Sequence, residues 1–446
     1  MELHRWTDEL ATSDSKSYRR RRFTVPVGAR ALRIVFEYER GGDLPHNLVT
    51  VSLFDPRRFR GAAHRFAPRQ EITVEERQAT PGFLAGALPT GEWTVELDVH
   101  CVIAPCAFAL RVETSEPAAP ADPVSTPSPR GGAPESRRER RWLRGELHLH
   151  STHSDGRWTT DEMASAALER GLDFMFLTDH NTVTGIDSLR RAVGGGIAVH
   201  AGQELTTFAG HALALGPERW LDWRTGLEGR SMNDVARDVR EAGGVLVVAH
   251  PDAPPDPLCT GCRWTHEDFD PSLADAVEVW GGLWDGPEER NEGCLALFHR
   301  WLDAGHRLAA TGATDAHRPE DWHGAVPLTY VHAAEASSSS VLDALRAGRT
   351  YVSSGPALGV EARGEGGRTA GIGGTAVGAH TIAGWCAGSP GAELRLVAHG
   401  EARARARIDG DGRIHASPQP GDRWSSAELW RDGILLAVTS PVYLRR

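Results

Sequence analysis

Residues 145–156 read GELHLHSTHSDG. His148 and His150 stand two apart at the end of a predicted strand, and residues at i and i+2 of a strand share one face. Two imidazoles therefore converge on one point. Asp155 follows in the HSDG turn, positioned to fold back over the same strand end. Outward from this stretch the pattern repeats. The predicted strand DFMFLTDH finishes in His180, GIAVHAGQE in Glu204, GVLVVAHP in His250, and HRLAATGATDAH in Asp315 and His317, while His211 opens the short strand HALALG. Helical patterns, TTDEMASAALERG, SMNDVARDVREAGG and NEGCLALFHRWLDAGH, alternate with these strands in the rhythm of βα units, a parallel-strand barrel or open sheet. In a β/α barrel the C-terminal strand ends lie on one face, where active sites are built.

Taken singly, each signal has an ordinary explanation. Asp155, before a glycine, is a turn former; Asp179 is a helix cap; Glu204 is a solvated strand-end acid; His211 and His250 are satisfied, partly buried histidines. The conjunction of nine ligand-type residues at successive strand ends has no such explanation. Neutral imidazole with carboxylate suits Zn, Mn or Fe, and the lack of thiolate at these positions argues against a structural zinc knot. The expectation is a metal-dependent hydrolase with two or three divalent ions, a metal-bridged hydroxide as nucleophile, and Asp315 and His317 as its catalytic side chains. No GxSxG elbow is found, and Ser353, Ser354 and Gly355 do not form one.

The chain of 446 residues is too long for one core and implies several domains. Residues 1–112 contain short alternating runs such as ALRIVFEYE, LVTVSLFD and EWTVELDVHC, and read as a β-sandwich, with the segment FTVPVGARALRIVFEY read as a strand pair. Residues 113–141 are a Pro/Ala/Ser-rich linker. Residues 142–356 form the metallohydrolase domain, and residues 357–446, Gly-rich with short strands, a small β domain. A formal net charge of −11, with 60 acids against 49 Lys and Arg, argues against a surface built for nucleic acid. No window approaches the roughly eighteen apolar residues of a membrane span. Neither a secretory leader nor a small disulfide framework is read in the sequence, so a cytoplasmic location is expected.

The motif set resembles the PHP superfamily, the polymerase and histidinol phosphatase domain, over about residues 144–356. The matching motifs are HLH at His148, SDG at Asp155, TDH at His180, GQE at Glu204, GH at His211, HP at His250 and TDAH at Asp315 and His317. TDHNTVTG from Thr178, ELTTFAGHALALG from Glu204, VEVW ending at Trp280 and ALRAGRTYVSSGP resemble the CehA/McbA (carbaryl hydrolase) branch. The resemblance implies a distorted (β/α)7 barrel. It implies one ion held by His148, His150, Glu204 and Asp315, and a second by Glu204, His211 and His250. A third falls to Asp155, His180 and His317, although Asp155 stands where the superfamily often has histidine.

The insertion PDAPPDPLCTGCRWTHEDF after His250 carries Cys259, Cys262 and His266. It reads as a zinc site, a redox pair or an ordinary active-site loop. Trp264, Trp284, Arg318, Trp322 and His323 follow strand ends and are candidate substrate contacts, the tryptophans alternatively plain packing. With three acids, Asp155, Glu204 and Asp315, around two or three divalent ions, the pocket is expected to favour a small anionic substrate, and Arg318 to grip it. The leading expectation is a phosphoesterase. A carbamate or carboxyl ester hydrolase, a nuclease or polymerase-associated domain and a non-catalytic binding protein are the alternatives.

Overall fold

Along Gly91–Cys101, Trp93, Val95, Leu97 and Val99 alternate onto one fully buried face, the period-two pattern that makes a strand half of a sandwich. The computed structural model describes residues 1–42, 45–115, 139–259, 261–286 and 290–445; most of the expected linker, 116–138, lies outside the described residues. Two compact units result, Met1–Arg140 with His153–Asp155, and Arg141–Thr152 with Gly156–Arg446.

In the N-terminal unit two antiparallel sheets face each other. One runs Glu2–Leu10, Cys106–Ser115, Ala31–Tyr38, Arg69–Glu75, the other Ser17–Val25, Gly91–Cys101, Leu48–Phe54, Phe59–Ala63. Ile34, Phe36, Val51, Leu53, Trp93 and Leu110 fill the space between them. The expected strand pair in FTVPVGARALRIVFEY is corrected here. Ser17–Val25 pairs with Gly91–Cys101, whereas Ala31–Tyr38 pairs with Cys106–Ser115 and Arg69–Glu75 in the other sheet. Both strands bury apolar alternates against the same core, and their sequence does not say from which side.

In the second unit the helices begin where capping boxes are written. Thr159 Oγ1 accepts from Glu162 N while the Glu162 carboxylate accepts from Thr159 N, and Ser231 and Asp234 repeat the exchange. These boxes start helices Thr160–Glu169 and Met232–Glu241. The sheet between the helices is mixed. Arg141–Glu146, Phe174–Leu177 and Ala198–Thr207 are parallel neighbours, as are Val245–Val248, Ala276–Gly281 and Ala309–Ala313. Between the two groups runs the antiparallel strand Gly210–Leu215. The connection after Thr207 is too short for a crossover helix, so the chain turns back as a hairpin. The expected rhythm of βα units is thus present in a mixed α/β arrangement, interrupted at Gly210–Leu215.

Among the described residues no backbone ladder joins Ala309–Ala313 to Leu328–Ala333. Thr329 links them instead: its hydroxyl donates to the Gly312 carbonyl at 2.7 Å and accepts from the Gly312 amide at 2.9 Å. Replacing Thr329 by valine leaves that buried carbonyl and amide unpaired, an expected loss of about 1–3 kcal/mol. The urea midpoint checks it, and an unchanged midpoint at unchanged slope contradicts it.

Beyond this region the sheet does not stop. Thr350–Ser353 pairs with Ile434–Thr439, which leads to Trp424–Arg431, Ala392–Ala398 and Glu401–Ile408. A four-stranded sheet centred on Ala357–Arg363 and Thr381–Ala387 packs on this extension through Leu358, Val360, Leu394, Leu396 and Leu429. Residues 357–446 thus share both a sheet and a compact unit with the preceding domain. Among the described residues no helix is long and apolar enough to cross a membrane.

Candidate metal centre

Glu204, fully buried on strand Ala198–Thr207, is the hub of the predicted ligands. Its Oε2 lies 3.3 Å from His148 Nε2, 3.2 Å from His150 Nε2 and 2.8 Å from His180 Nδ1. Its Oε1 lies 2.9 Å from His211 Nδ1 and 3.1 Å from His250 Nε2. Across from it, Asp315 Oδ1 is 3.2 Å from His148 Nε2 and 2.9 Å from His150 Nε2. The eight predicted ligands of the second unit fall into overlapping groups whose ligand atoms lie within 4.8 Å of one another. The groups are His148, His150 and Asp315; His148, Glu204 and His250; His180, Glu204 and His211; and His150, His180 and His317. This grouping crosses the one implied by the resemblance, because Glu204 also draws in His180.

Proximity alone would be unremarked in a buried ion-pair network. The chemistry lies in the atoms left over. His148 Nε2, His150 Nε2, Glu204 Oε2 and Asp315 Oδ1 are buried and without a hydrogen-bond partner, although they face one another at ion-pair distance. His211 Nε2 and His250 Nδ1 are likewise buried and unpartnered. Lone pairs of neutral imidazole and carboxylate repel across 3 Å unless a proton or a metal cation lies among them, and native proteins rarely bury such atoms unsatisfied. The donor set of nitrogen and carboxylate oxygen fits Zn, Mn or Fe. Burial pushes the Glu204 carboxyl up, but His180, His148 and His211 outweigh it and hold it well below the usual range. The same balance of burial against His148 holds Asp315 far below its ordinary value.

Backbone strain marks the same places. His250 and Asp315 take φ of +26° and +51°, conformations that non-glycine residues seldom adopt. Asp315 and His317, with side chains 32% and 33% exposed, form an open edge of a mostly buried cluster. His317 Nδ1 donates to the Asp315 carbonyl at 2.8 Å, which orients the ring.

Two buried acids here were not among the predicted site residues. Glu146 Oε1 accepts from the amides of Leu147, His148 and Thr314, and its Oε2 from the Thr314 hydroxyl. It thereby ties together the strand ends that present His148 and Asp315. Burial, offset in part by these bonds, pushes its carboxyl up to about 7. Glu278 Oε2 lies 3.1 Å from His148 Nδ1. Both could have been noticed as acids inside apolar runs, the E of RWLRGELHLH and of DAVEVWGG. Asp179, weighed as a cap, instead accepts from the Ser151 amide and hydroxyl and braces the turn after His150.

No family model matches the chain. Among curated proteins, 39 of its residues (9% of the chain) are 46% identical to the DNA polymerase/3'-5' exonuclease PolX of Bacillus subtilis (strain 168), and span 7% of that protein's length. Among solved structures, the fold is similar to a two-domain protein from Bacteroides vulgatus described as containing a predicted PHP-like metal-dependent phosphoesterase. The identity is 18% and the TM-score 0.40, covering 70% of this chain and 100% of that one. It is also similar to the lesion-specific endonuclease PfuEndoQ from Pyrococcus furiosus, at 15% identity and a TM-score of 0.32, covering 46% and 56%. An amidohydrolase from Chromobacterium violaceum gives 17% and 0.27, covering 39% and 88%. Likenesses this distant leave function to be read from side chains.

The predicted substrate contacts scatter. Trp322 is corrected to a core residue: it is buried, its Nε1 donates to the Thr314 hydroxyl at 2.7 Å, and its ring meets Trp158 edge-on. Arg318, 54% exposed, donates Nε to Asp321 at 2.9 Å. His323 is exposed, and Trp264 is half-buried against His266 and Phe269. Trp284 is buried between Trp280 and Trp430 and lines a cavity of about 390 Å³ with Asp252, Asp285, Arg290 and Ile434. Cys259 and Cys262 form a disulfide, and His266 bonds to the Thr207 hydroxyl at 2.9 Å rather than joining them. Among the described residues neither cysteine belongs to a metal-ligand group.

Proposed function

We propose that this chain is a metal-dependent hydrolase of the PHP type acting on small phosphate esters. The observation that carries the reading is the convergence of buried, unpartnered nitrogens and oxygens on Glu204 and Asp315. His148, His150, Glu204, His211, His250 and Asp315 would hold two divalent ions, and Asp155, His180 and His317 a third. When bound, such ions supply an activated water and neutralise charge developing on a phosphoryl group. The protein's own contribution is to keep the ligand ring dry on the Glu204 side and open at Asp315 and His317, where a small anionic substrate can enter. Asp315 and His317 are the side chains nearest the reacting atoms, and Arg318, next in sequence, is proposed to bind the phosphoryl oxygens.

Hydrolysis of a neutral carbamate or carboxyl ester is the second reading, and one feature favours it. Glu278 brings a fourth acid against the ligands, so the site is less positive than Asp155, Glu204 and Asp315 alone would make it. The two readings separate when kcat/KM is measured for a nitrophenyl phosphate, its phosphodiester and a nitrophenyl acetate or carbamate. The wild type is expected to prefer a phosphoester. Arg318→Ala is expected to lose about 10- to 100-fold selectively on phosphates, the worth of a charge-assisted hydrogen bond. Preference for the neutral substrates by orders of magnitude, with no selective loss in the variant, would establish the second reading instead.

A further inference from the structure

Glu278 sits in the middle of strand Ala276–Gly281, AVEVWG, every residue of which is buried. Its side chain is 1% exposed. A carboxylate in such a place costs several kcal/mol of desolvation unless something returns it. The ion-pair partner it meets is His148, through Oε2 and the ring Nδ1 at 3.1 Å. Its other oxygen, Oε1, is buried without a hydrogen-bond partner.

The strand's position explains the reach. Ala276–Gly281 lies between Val245–Val248, which leads to His250, and Ala309–Ala313, which leads to Asp315. Glu278 therefore stands below the ring of ligands, facing His148 from the side opposite Glu204 and Asp315. With Nδ1–H donated to Glu278, the ring proton is fixed on Nδ1. In the neutral ring Nε2 then keeps its lone pair, and it is Nε2 that faces Glu204 Oε2 and Asp315 Oδ1 at 3.3 and 3.2 Å without hydrogen-bond alignment. Glu278 itself belongs to none of the ligand groups found among the described residues. It touches the centre through the histidine.

We infer that Glu278 is a positioning residue, holding His148 in the tautomer and orientation that a divalent ion requires. The inference rests on the metal-centre reading proposed above, and reaches beyond it in naming a residue outside the nine ligands. Acceptors behind a ligating imidazole are typically worth about 10- to 100-fold in metal affinity. The same bond puts a negative charge at the back of His148, which raises the basicity of Nε2.

The test is zinc affinity, measured by chelator competition on the purified full chain, in wild type, Glu278→Met, Glu278→Gln and His148→Ala. Methionine keeps the length and removes the acceptor, whereas the glutamine amide oxygen can still accept from Nδ1–H. Glu278→Met is expected to bind zinc about 10- to 100-fold more weakly, and Glu278→Gln to recover most of that loss, with circular dichroism melts confirming that both are folded. Glu278→Ala takes the place of the methionine variant if that one does not fold. Wild-type affinity without the acceptor overturns the inference, as does a glutamine variant no better than methionine. The underlying reading fails separately: His148→Ala binding zinc with wild-type stoichiometry and affinity would remove the metal centre itself, whatever Glu278 does.

Discussion

Glu204→Gln is expected to lose phosphoester turnover by more than the hundred- to thousandfold, roughly, that removal of one transition-state donor costs. Its carboxylate stands within 3.3 Å of ring nitrogens from His148, His150, His180, His211 and His250. Among the described residues it is the one acid shared by ligands from four different strand ends. Glutamine is close in volume, so the strand Ala198–Thr207 keeps its packing, but the amide brings one neutral oxygen and two hydrogens to a point where lone pairs converge. Both the charge that attracts cations and one of the two bridging oxygens go at once. kcat in excess metal, alongside bound metal per chain, checks this. A variant with near wild-type turnover and metal content would remove Glu204 from the centre.

The second large effect is expected from His148→Ala and His250→Ala, each losing turnover by about 100-fold or more while the protein remains folded. Either change leaves the apolar neighbours, Leu147, Leu149 and Ala249, packed in the core, although His148→Ala also takes from Glu278 the ring that it faces. His250 already holds a strained backbone at φ +26°, so alanine there inherits strain rather than adding it. Folded, metal-poor, inactive protein is the expected outcome. Circular dichroism, metal analysis and turnover on one preparation distinguish it from simple unfolding, and either variant with wild-type turnover at equal metal content contradicts it.

Much of this centre could be read from sequence because strand ends are local. An apolar run that terminates in a polar residue places that residue at or just past the strand end, so His148, His150, His180, His250 and Asp315 were legible one at a time; Glu204, read as a strand end, lies instead inside Ala198–Thr207, because the strand runs on into its hairpin with Gly210–Leu215. His211 was legible as the opening of HALALG, but not the antiparallel direction of Gly210–Leu215, which depends on a hairpin between two strands that both look buried. The N-terminal sandwich was legible as alternation and not as sheet membership. The continuation of the sheet from Thr350–Ser353 into Ile434–Thr439 is a pairing across some eighty residues of sequence, and no periodicity records it. Trp322 looked like a rim residue by position and is core by packing, since its indole turns back to Thr314.

Glu146 and Glu278 had the opposite character. Their signal, a lone acid inside an apolar strand, was present in RGELHLH and DAVEVWGG, but its meaning depends on a partner over a hundred residues away. Counting them changes the electrostatics. The anionic-substrate argument begins from three acids, and Glu278 makes four in direct contact with the ligand set or part of it. Charge alone therefore discriminates less between a phosphate and a neutral ester than the sequence suggested.

The most direct measurement is metal content by mass spectrometry of the purified full chain, after equilibration with zinc or manganese and removal of free ion, read beside turnover of a nitrophenyl phosphate. At least two ions per chain are expected, with turnover lost on chelation and restored on adding the metal back. A folded chain that retains no divalent ion under these conditions, or whose turnover is the same with and without chelator, would contradict a metal-dependent hydrolase.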